Sequence, residues 1–284
     1  SNIDETENKK TILHIFNSKF SLDNKKIENL PIGLFGDFYS HELSFVLMDT
    51  NDYKNLKNLF DKCNLKLKKI LIKSFVKGAN ISENYKNNET FFHIKISQDY
   101  SKIFFFENNS LKSEENFNFG TNIIIKDISK ITSLNLETVK TILGNIQPNK
   151  DILQDELIEE KYFHNDVFRK IKKRLIYEIA SARIEEIFNI ILIKNINLRY
   201  YNKYSNNVFL EFDNRTDLEC LNDIYKNILL TNGGLNLNLM KNLSDQSILN
   251  SVNKIVHFGW KKEAIPVSAY KKSIIVDLFS KIFK

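Results

Sequence analysis

The chain has 284 residues, of which 42% are hydrophobic and 27% are charged, with a net charge of +6 and a pI near 9.0. That length allows one large core or two lobes, and the composition excludes a disordered polyelectrolyte. Lysine is spread along the whole sequence, which favours a solvated basic surface over a nucleic-acid groove. A mild attraction to anionic lipid is compatible with this charge.

The two cysteines, Cys63 and Cys220, lie far apart, and the five histidines have no metal-ligand spacing. We therefore expect no disulfide and no metal site, with a reducing cytoplasm as the default compartment. No apolar run reaches the roughly 18 residues that a membrane-spanning helix needs, and no signal peptide is recognisable. The sequence begins with Ser1 instead of methionine, so residues upstream are expected to be missing from it.

The first quarter of the chain is expected to form an α+β subdomain. Apolar and polar residues alternate in the predicted strands, apolar residues recur every three or four positions in the predicted helix, and proline and glycine mark the loop. We expect a polar lead-in at residues 1–10, a strand at 11–21, a turn at 23–24 and a loop at 31–36. A strand at 43–48, a helix at 52–63 and a strand at 65–76 are expected to follow.

Residues 89–119 are expected to form a strand meander. Phe92, Ile94 and Ile96 alternate with polar residues, and a second apolar run covers residues 103–106. Alternation with a period of two is typical of a half-buried strand.

Residues 120–144, GTNIIIKDISKITSLNLETVKTILG, predict a turn, a buried strand over the β-branched residues 123–125, and two helices. Thr132 or Ser133 would cap the second helix, and Gly144 would end it in the left-handed conformation. Glu137 and Lys140 would share one face of that helix because they are three residues apart.

Residues 127–196 are expected to be predominantly helical, with a long amphipathic helix at 167–193. Arg183 and Glu186 are fully explained as an i,i+3 pair on an amphipathic core helix. The Asn- and Tyr-rich residues 197–212 are interpreted as an inserted loop or hairpin.

The segment ILLTNGG, residues 228–234, allows two interpretations. It can be a strand that ends in two glycines, or the Asn-Gly turn of a hairpin. A helix at residues 235–243 would favour the first interpretation, and a returning strand would favour the second.

The final residues, SIIVDLFSKIFK, are strongly amphipathic when placed on a helix. Such a helix suits the plane of a membrane interface, whereas docking in the protein core is the alternative. The candidate membrane-binding residues are Lys272, Ile274, Ile275, Leu278, Phe279, Ile282 and Phe283.

Taken together, these motifs resemble the bacterial cell-division actin homologue FtsA. The positions that match its second-lobe segment are Gly120, Asn122, Asp127, Ile128, Glu137, Lys140 and Gly144. The positions that match its extra subdomain are Leu13, His14, Ile15, Leu22, Asp23, Pro31, Ile32, Gly33, Gly36, Cys63, Asn64 and Leu65. The resemblance covers nearly the whole chain.

The resemblance implies an α/β fold of the actin-like, ribonuclease-H-like type, with an FtsA-type extra α+β subdomain and an incomplete first lobe. Either upstream sequence is missing or the protein has lost part of that lobe. The implied segments are the extra subdomain (residues 1–73), the first part of lobe two (74–126) and its helical subdomain (127–215). The second part of lobe two (216–265) and a linker with the C-terminal helix (266–284) follow.

The resemblance also implies a nucleotide site, here only as a remnant. Glu137 and Lys140 would lie beside the ribose and base, and Thr231, Gly233 and Gly234 would match the adenosine motif. The family's phosphate loop, D-I-G-G-G-T-x-D, aligns with residues 95–102, where Lys95 and Lys102 replace both carboxylates. Lysine cannot hold Mg²⁺, and the glycines that let backbone amides approach a phosphate are gone. ATP is therefore a possible but weakened ligand, and we expect little or no ATPase activity.

The implied function is that of a cell-division adaptor that tethers the FtsZ ring to the cytoplasmic face of the bacterial inner membrane. Its implied partners are FtsZ, anionic membrane lipid and further copies of itself, without nucleic acid. The alternative is a nucleotide-dependent ATPase or small-molecule kinase of the actin superfamily.

Overall fold

The computed structural model describes residues 9–27, 30–85, 88–146, 156–163, 166–198, 207–213, 219–231, 235–240 and 243–263. The chain forms two compact units. The first unit comprises Ser1–Ala79, Asn108–Leu111 and Leu249–Lys284, and the second comprises Asn80–Glu107 and Lys112–Ile248. The finer division into five segments stays a prediction.

The first unit contains an antiparallel sheet of β1 (Lys10–Leu22), β2 (Lys25–Ile27) and β3 (Tyr39–Asp49) in the order β2-β1-β3. β1 and β2 are joined by Asp23 and Asn24, both with positive φ (50° and 64°), as a two-residue hairpin turn requires. Helix α1 (Thr50–Lys62) follows β3, and the Asp49 side chain caps it by accepting the Asn51 N–H at 2.9 Å. These elements confirm the predicted strands at 11–21 and 43–48 and the helix at 52–63.

The predicted strand at residues 65–76 is wrong. Residues 65–72 carry neither helix nor strand, and α2 (Lys73–Asn84) begins within the predicted range. Phe75, Val76 and Ala79 are all at most 2% exposed. Positions 75, 76 and 79 lie on one face of a helix, and that face is buried. The alternation Leu65-Lys66-Leu67-Lys68 just before the helix favoured a strand and concealed this helical spacing.

The second unit is built on a five-stranded sheet in the order β6-β5-β4-β7-β8. β4 and β5 pair antiparallel, whereas β7 is parallel to both β4 and β8. The strands are β4 (Phe91–Ile96), β5 (Ser101–Glu107), β6 (Ser110–Phe117), β7 (Asn207–Phe212) and β8 (Asn236–Met240). The predicted meander is confirmed.

One face of this sheet is covered by helices. They are α3 (Thr121–Thr132), α4 (Leu136–Asn145), α5 (Lys173–Phe188) and α6 (Glu219–Thr231). A π-helical turn at Asn189–Ile193 continues α5. A further helix, α7 (Asp245–Phe258), follows β8 in the chain. Short 3₁₀ turns lie at Glu160–Tyr162 and Ile196–Leu198. The core lies between sheet and helices and includes Ile94, Ile128, Ile142, Ile184 and Leu210, each fully buried. The α/β class predicted from the sequence is confirmed.

Residues 123–125 lie in α3, so the predicted strand there is wrong. Ile124 and Ile128, four positions apart, are both 0% exposed, because they face the core from successive turns of the helix. Ser133, with φ 56°, ends α3 and does not cap α4. Asn135 caps α4 by accepting the Thr138 N–H at 2.8 Å.

Gly144 is a helical residue of α4 with open space around it, and the helix ends one residue later at Asn145. The predicted left-handed stop at Gly144 is therefore wrong.

Three predictions in the C-terminal half are also corrected. The helix predicted at 167–193 begins only at Lys173, and the predicted insertion at 197–212 contains β7, a buried inner strand of the sheet. Residues 228–231 end α6, so neither a strand nor a hairpin turn starts there. The strand β8 follows the glycines, and it is parallel to its neighbour β7, as a crossover connection requires.

Several predicted functional residues lie outside the described part of the chain. They are Gly233, Gly234 and all seven candidate membrane-binding residues of the C-terminal segment. Among the helices that are described, none combines the length and apolar character needed to cross a bilayer.

Candidate functional site

Residues 95–102, which align with the phosphate loop of the resembled family, comprise the end of β4, the connection at residues 97–100 and the start of β5. Lys95 and Lys102 are direct partners across these two strands, so their side chains project from the same face of the sheet. Both are partly exposed, at 24% and 33% of the side chain. The two positions that carry carboxylates in the resembled loop therefore form an adjacent pair of cations.

Each lysine of the pair has a carboxylate partner. Lys95 Nζ lies 3.7 Å from Asp213 Oδ2, and Lys102 Nζ lies 3.1 Å from Glu114 Oε1. Like charges directly opposite each other on a sheet are destabilising, and these carboxylates offset that repulsion. The hydrogen bond with Ser97, aided by the charge of Lys95, lowers the pKa of the Tyr100 phenol at the loop tip.

The loop backbone is held by the start of α3. The N–H of Thr121 donates to Ser97 O at 3.0 Å, and the N–H of Asn122 donates to Gln98 O at 2.9 Å. The Asn122 side chain also donates to Asp99 Oδ1 at 2.8 Å. Two of the N–H groups that a helix start leaves free are thus used within the protein.

Gly120 makes this contact possible. A Cβ at this position would lie 2.1 Å from Ser97 O and 2.7 Å from Gln98 O, which are backbone atoms that cannot rotate away. Its φ of −151° is ordinary extended backbone, so close approach is the reason for the glycine.

The described residues contain no group of three or more His, Cys, Asp or Glu side chains arranged for a metal ion. In the loop itself, lysines occupy both positions where an acidic ligand was needed. Oxygen ligands are what Mg²⁺ requires, so residues 95 and 102 do not fit a magnesium-bound phosphate.

A buried His–Glu pair lies in the same sheet and was missed by the sequence analysis. His93 Nε2 on β4 lies 3.0 Å from Glu211 Oε2 on β7, and both side chains are at most 2% exposed. In the described structure the other ring nitrogen, Nδ1, has no hydrogen-bond partner. The only signal in the sequence was a glutamate within the apolar run VFLEF.

Glu137 and Lys140 lie on one face of α4, as predicted. Lys140 Nζ donates to Glu137 Oε1 at 2.8 Å, with side chains 46% and 72% exposed. Thr231 is the last residue of α6, which packs against α4. The adenosine-site role of these residues stays a prediction.

A groove of about 750 Å³ runs between α3 and α5. Arg183 forms ion pairs with Asp127 on α3 and with Glu186 one turn away on α5. The hydrogen bond to Asp127 raises the pKa of Arg183. Since each charge in this cluster has a partner, its evident role is to join two helices of the core.

In the first unit, the end of the described chain is fastened to β1. Glu263 forms an antiparallel bridge with Phe16, and the Asn17 N–H donates to Lys262 O at 2.7 Å. Trp260 packs edge-on against Phe75 at 6.1 Å and donates its Nε1–H to Asn109 O at 2.8 Å.

The Glu263 carboxylate completes this anchor. It accepts from His14 Nδ1 at 2.7 Å and from Lys69 Nζ at 2.8 Å. The Ile72 N–H donates to His14 Nε2 at 3.4 Å, which places the ring proton on Nδ1. Burial alone would raise the pKa of Glu263, yet the hydrogen bonds from His14 and Lys69 hold it below its ordinary value.

The two units differ in charge. The first unit carries 20 lysines and arginines against 12 aspartates and glutamates, whereas the second carries 21 against 23. The basic excess of the chain is therefore concentrated in the unit to which the C-terminal segment belongs.

No protein-family model matches the sequence. Two curated relatives are both named cell division protein FtsA. The one from Neisseria meningitidis serogroup B is 24% identical over 165 residues, which is 57% of this chain and 40% of the relative. The one from Buchnera aphidicola is 20% identical over 244 residues, which is 84% of this chain and 54% of the relative. The chain thus spans about half the length of the curated relatives that it matches.

Among solved structures, MreB5 of Spiroplasma citri bound to ADP is 12% identical and covers 73% of this chain and 65% of its own, with a TM-score of 0.45. The archaeal actin homologue Ta0583 is 11% identical and covers 68% of this chain and 57% of its own, with a TM-score of 0.39. These TM-scores are too low to decide a function. The comparisons therefore give similarity to cell-division proteins named FtsA over part of their length.

Proposed function

We propose that this chain is an actin-like, FtsA-type cell-division adaptor that connects FtsZ to the cytoplasmic face of the bacterial inner membrane. The observation that carries the proposal is the similarity to two proteins named FtsA, over 57% and 84% of the chain. The proposal includes association with FtsZ and with further copies of the chain, and that similarity is its support.

The membrane tether is supported by what precedes the amphipathic segment. The backbone and the carboxylate of Glu263 are fixed to β1, so nine residues separate this anchor from the segment that starts at Ser273. Nine residues reach at most about 30 Å when extended. A helix in the membrane interface would therefore hold the first unit, with its basic excess, near anionic headgroups.

The same proposal gives the second unit a scaffolding role without phosphate chemistry. Lys95 and Lys102 replace the metal-organising carboxylates, and both are already neutralised by Asp213 and Glu114. The N–H groups at the start of α3 donate to the loop carbonyls and are not available to a phosphate in this arrangement. We infer that the adaptor works without ATP hydrolysis.

The tether is tested by adding the same negative charge to opposite faces of the C-terminal segment. Leu278→Asp should weaken binding to vesicles that contain phosphatidylglycerol by at least about ten-fold, because burying one leucine contributes roughly 1.5–3 kcal/mol. Ser280→Asp, on the polar face, is the matched control and should bind nearly as well as the unchanged chain. Equal binding by both variants in a sedimentation assay would refute the tether.

A further inference from the structure

The segment between α1 and α2 places lysines on the surface of the first unit. Residues 65–69 read Leu-Lys-Leu-Lys-Lys and carry no helix or strand. Lys66 and Lys68 are exposed, Leu65 is 56% exposed, and Leu67 is half-buried. The segment therefore presents cationic side chains together with an accessible aliphatic one.

This segment is fixed beside the point where the chain leaves the described structure. Lys69 Nζ donates to Glu263 Oε2 at 2.8 Å, and the Ile72 N–H donates to the His14 ring that binds the other oxygen of Glu263. Lys68 is the direct neighbour of Lys69, with Cα atoms about 3.8 Å apart. Lys66 and Lys68 therefore lie close to Glu263, the residue from which the chain continues to the C-terminal segment.

The charges of Lys66 and Lys68 are not neutralised locally. Neither forms an ion pair or side-chain hydrogen bond with any residue that the structure describes, whereas Lys69 is paired with Glu263. Residues 64–74 contain no acidic residue either. Their charges therefore face solvent and are accessible to an anionic surface.

We propose that residues 65–69 form a second membrane contact, which binds anionic phospholipid headgroups beside the root of the C-terminal tether. This inference rests on the proposed tether and deepens it. Each basic residue near an anionic bilayer raises the membrane partition coefficient by about ten-fold or less. The negative surface potential that attracts it extends roughly one Debye length from the bilayer. Linking this contact to the C-terminal segment raises its effective concentration at the bilayer.

A bilayer fits this chemistry better than a nucleic acid does. Residues 64–74 contain no arginine for bidentate phosphate or base contacts and no aromatic residue for base stacking. Lysine stems and exposed leucine suit the interface between headgroups and acyl chains.

The test compares two lysine pairs in the full chain by vesicle sedimentation. Lys66→Gln/Lys68→Gln should weaken binding to phosphatidylglycerol-containing vesicles by about ten-fold. Lys126→Gln/Lys170→Gln removes two exposed lysines of the second unit and should change binding less than about two-fold. Vesicles of phosphatidylcholine alone should not distinguish the two variants. Equal binding of both variants to the anionic vesicles would overturn the inference.

A chain ending at residue 272 separates this contact from the tether. It should keep weak binding to anionic vesicles, and Lys66→Gln/Lys68→Gln should abolish that remainder. If truncation changes nothing while the lysine pair still matters, the tether fails and the basic segment stands as the membrane contact. If the lysine variant loses affinity for duplex DNA and not for vesicles, the ligand is a nucleic acid and the inference is wrong.

Discussion

The two units of the chain use their apolar residues differently. The second unit buries them in one continuous core between a five-stranded sheet and four helices. The first unit keeps large apolar side chains at its surface, with Ile32 88%, Phe35 101% and Phe38 59% exposed. Exposed apolar groups of this size are typical of interaction surfaces. The contrast indicates that the larger apolar core lies in the second unit, whereas residues 30–38 of the first unit present an exposed apolar surface.

The largest expected effect comes from replacing one apolar residue in each unit. Ile128→Ala, in the core of the second unit, should reduce the free energy of unfolding by about 2–5 kcal/mol, since it leaves a cavity. Phe35→Ala, at a fully exposed position of the first unit, should change it by less than about 0.5 kcal/mol. Urea unfolding of both variants measures the difference. A comparable loss for Phe35→Ala would mean that the first unit packs this ring in solution.

The next effect compares two glycines of the second unit. Gly120→Ala should destabilise by about 1–3 kcal/mol, because its Cβ would meet Ser97 O at 2.1 Å and push the β4–β5 loop away from α3. Gly144→Ala, in open space within α4, should stabilise by about 0.5–1 kcal/mol. Thermal unfolding should therefore move in opposite directions for the two variants. A stable Gly120→Ala protein would show that the loop is not held by α3.

A smaller effect is expected from the anchor at Glu263. Its lowered pKa means that the ionised carboxylate stabilises the folded chain above the ordinary glutamate value near 4.5, and that this contribution is lost as the pH falls through the lower folded pKa. Glu263→Gln should remove about 1 kcal/mol at neutral pH and reduce the loss of stability on acidification.

The control for this variant is Glu137→Gln, which breaks an exposed pair on α4. It should remove at most about 0.5 kcal/mol and leave the acid dependence nearly unchanged. Unfolding curves recorded between neutral and acidic pH separate the two variants. An unchanged acid dependence in Glu263→Gln would contradict the anchor.

The smallest signal is expected from nucleotide. Isothermal titration with ATP and Mg²⁺ should detect no sub-millimolar binding, since Lys95 and Lys102 cannot hold the metal. Sub-millimolar binding by the unchanged chain would favour the alternative of an actin-superfamily ATPase or kinase.

The sequence predicted elements whose periodicity extends over many residues. The alternation in β1 and in the β4–β5 hairpin led to correct strands, whereas the three isoleucines of residues 123–125 were too few to distinguish a strand from one turn of α3. β7 was missed because it is buried on both faces, as an inner parallel strand is, and it directly follows the Asn- and Tyr-rich residues that were interpreted as an insertion.

The candidate site was predictable only where it is local in sequence. The opposed lysines follow from the β4–β5 hairpin, because the loop length fixes which residues face each other. The His93–Glu211 pair depends on the register between two strands whose residues are 118 positions apart, and no local pattern encodes that register.

The adaptor role is tested most directly by asking whether this chain carries FtsZ to a membrane. FtsZ from the same organism is mixed with phosphatidylglycerol-containing vesicles and either the full chain or the chain ending at residue 272, and the sedimented FtsZ is measured. The account predicts that FtsZ sediments with the vesicles only when the full chain is present. Equal sedimentation with the shortened chain, or none with the full chain, would contradict it.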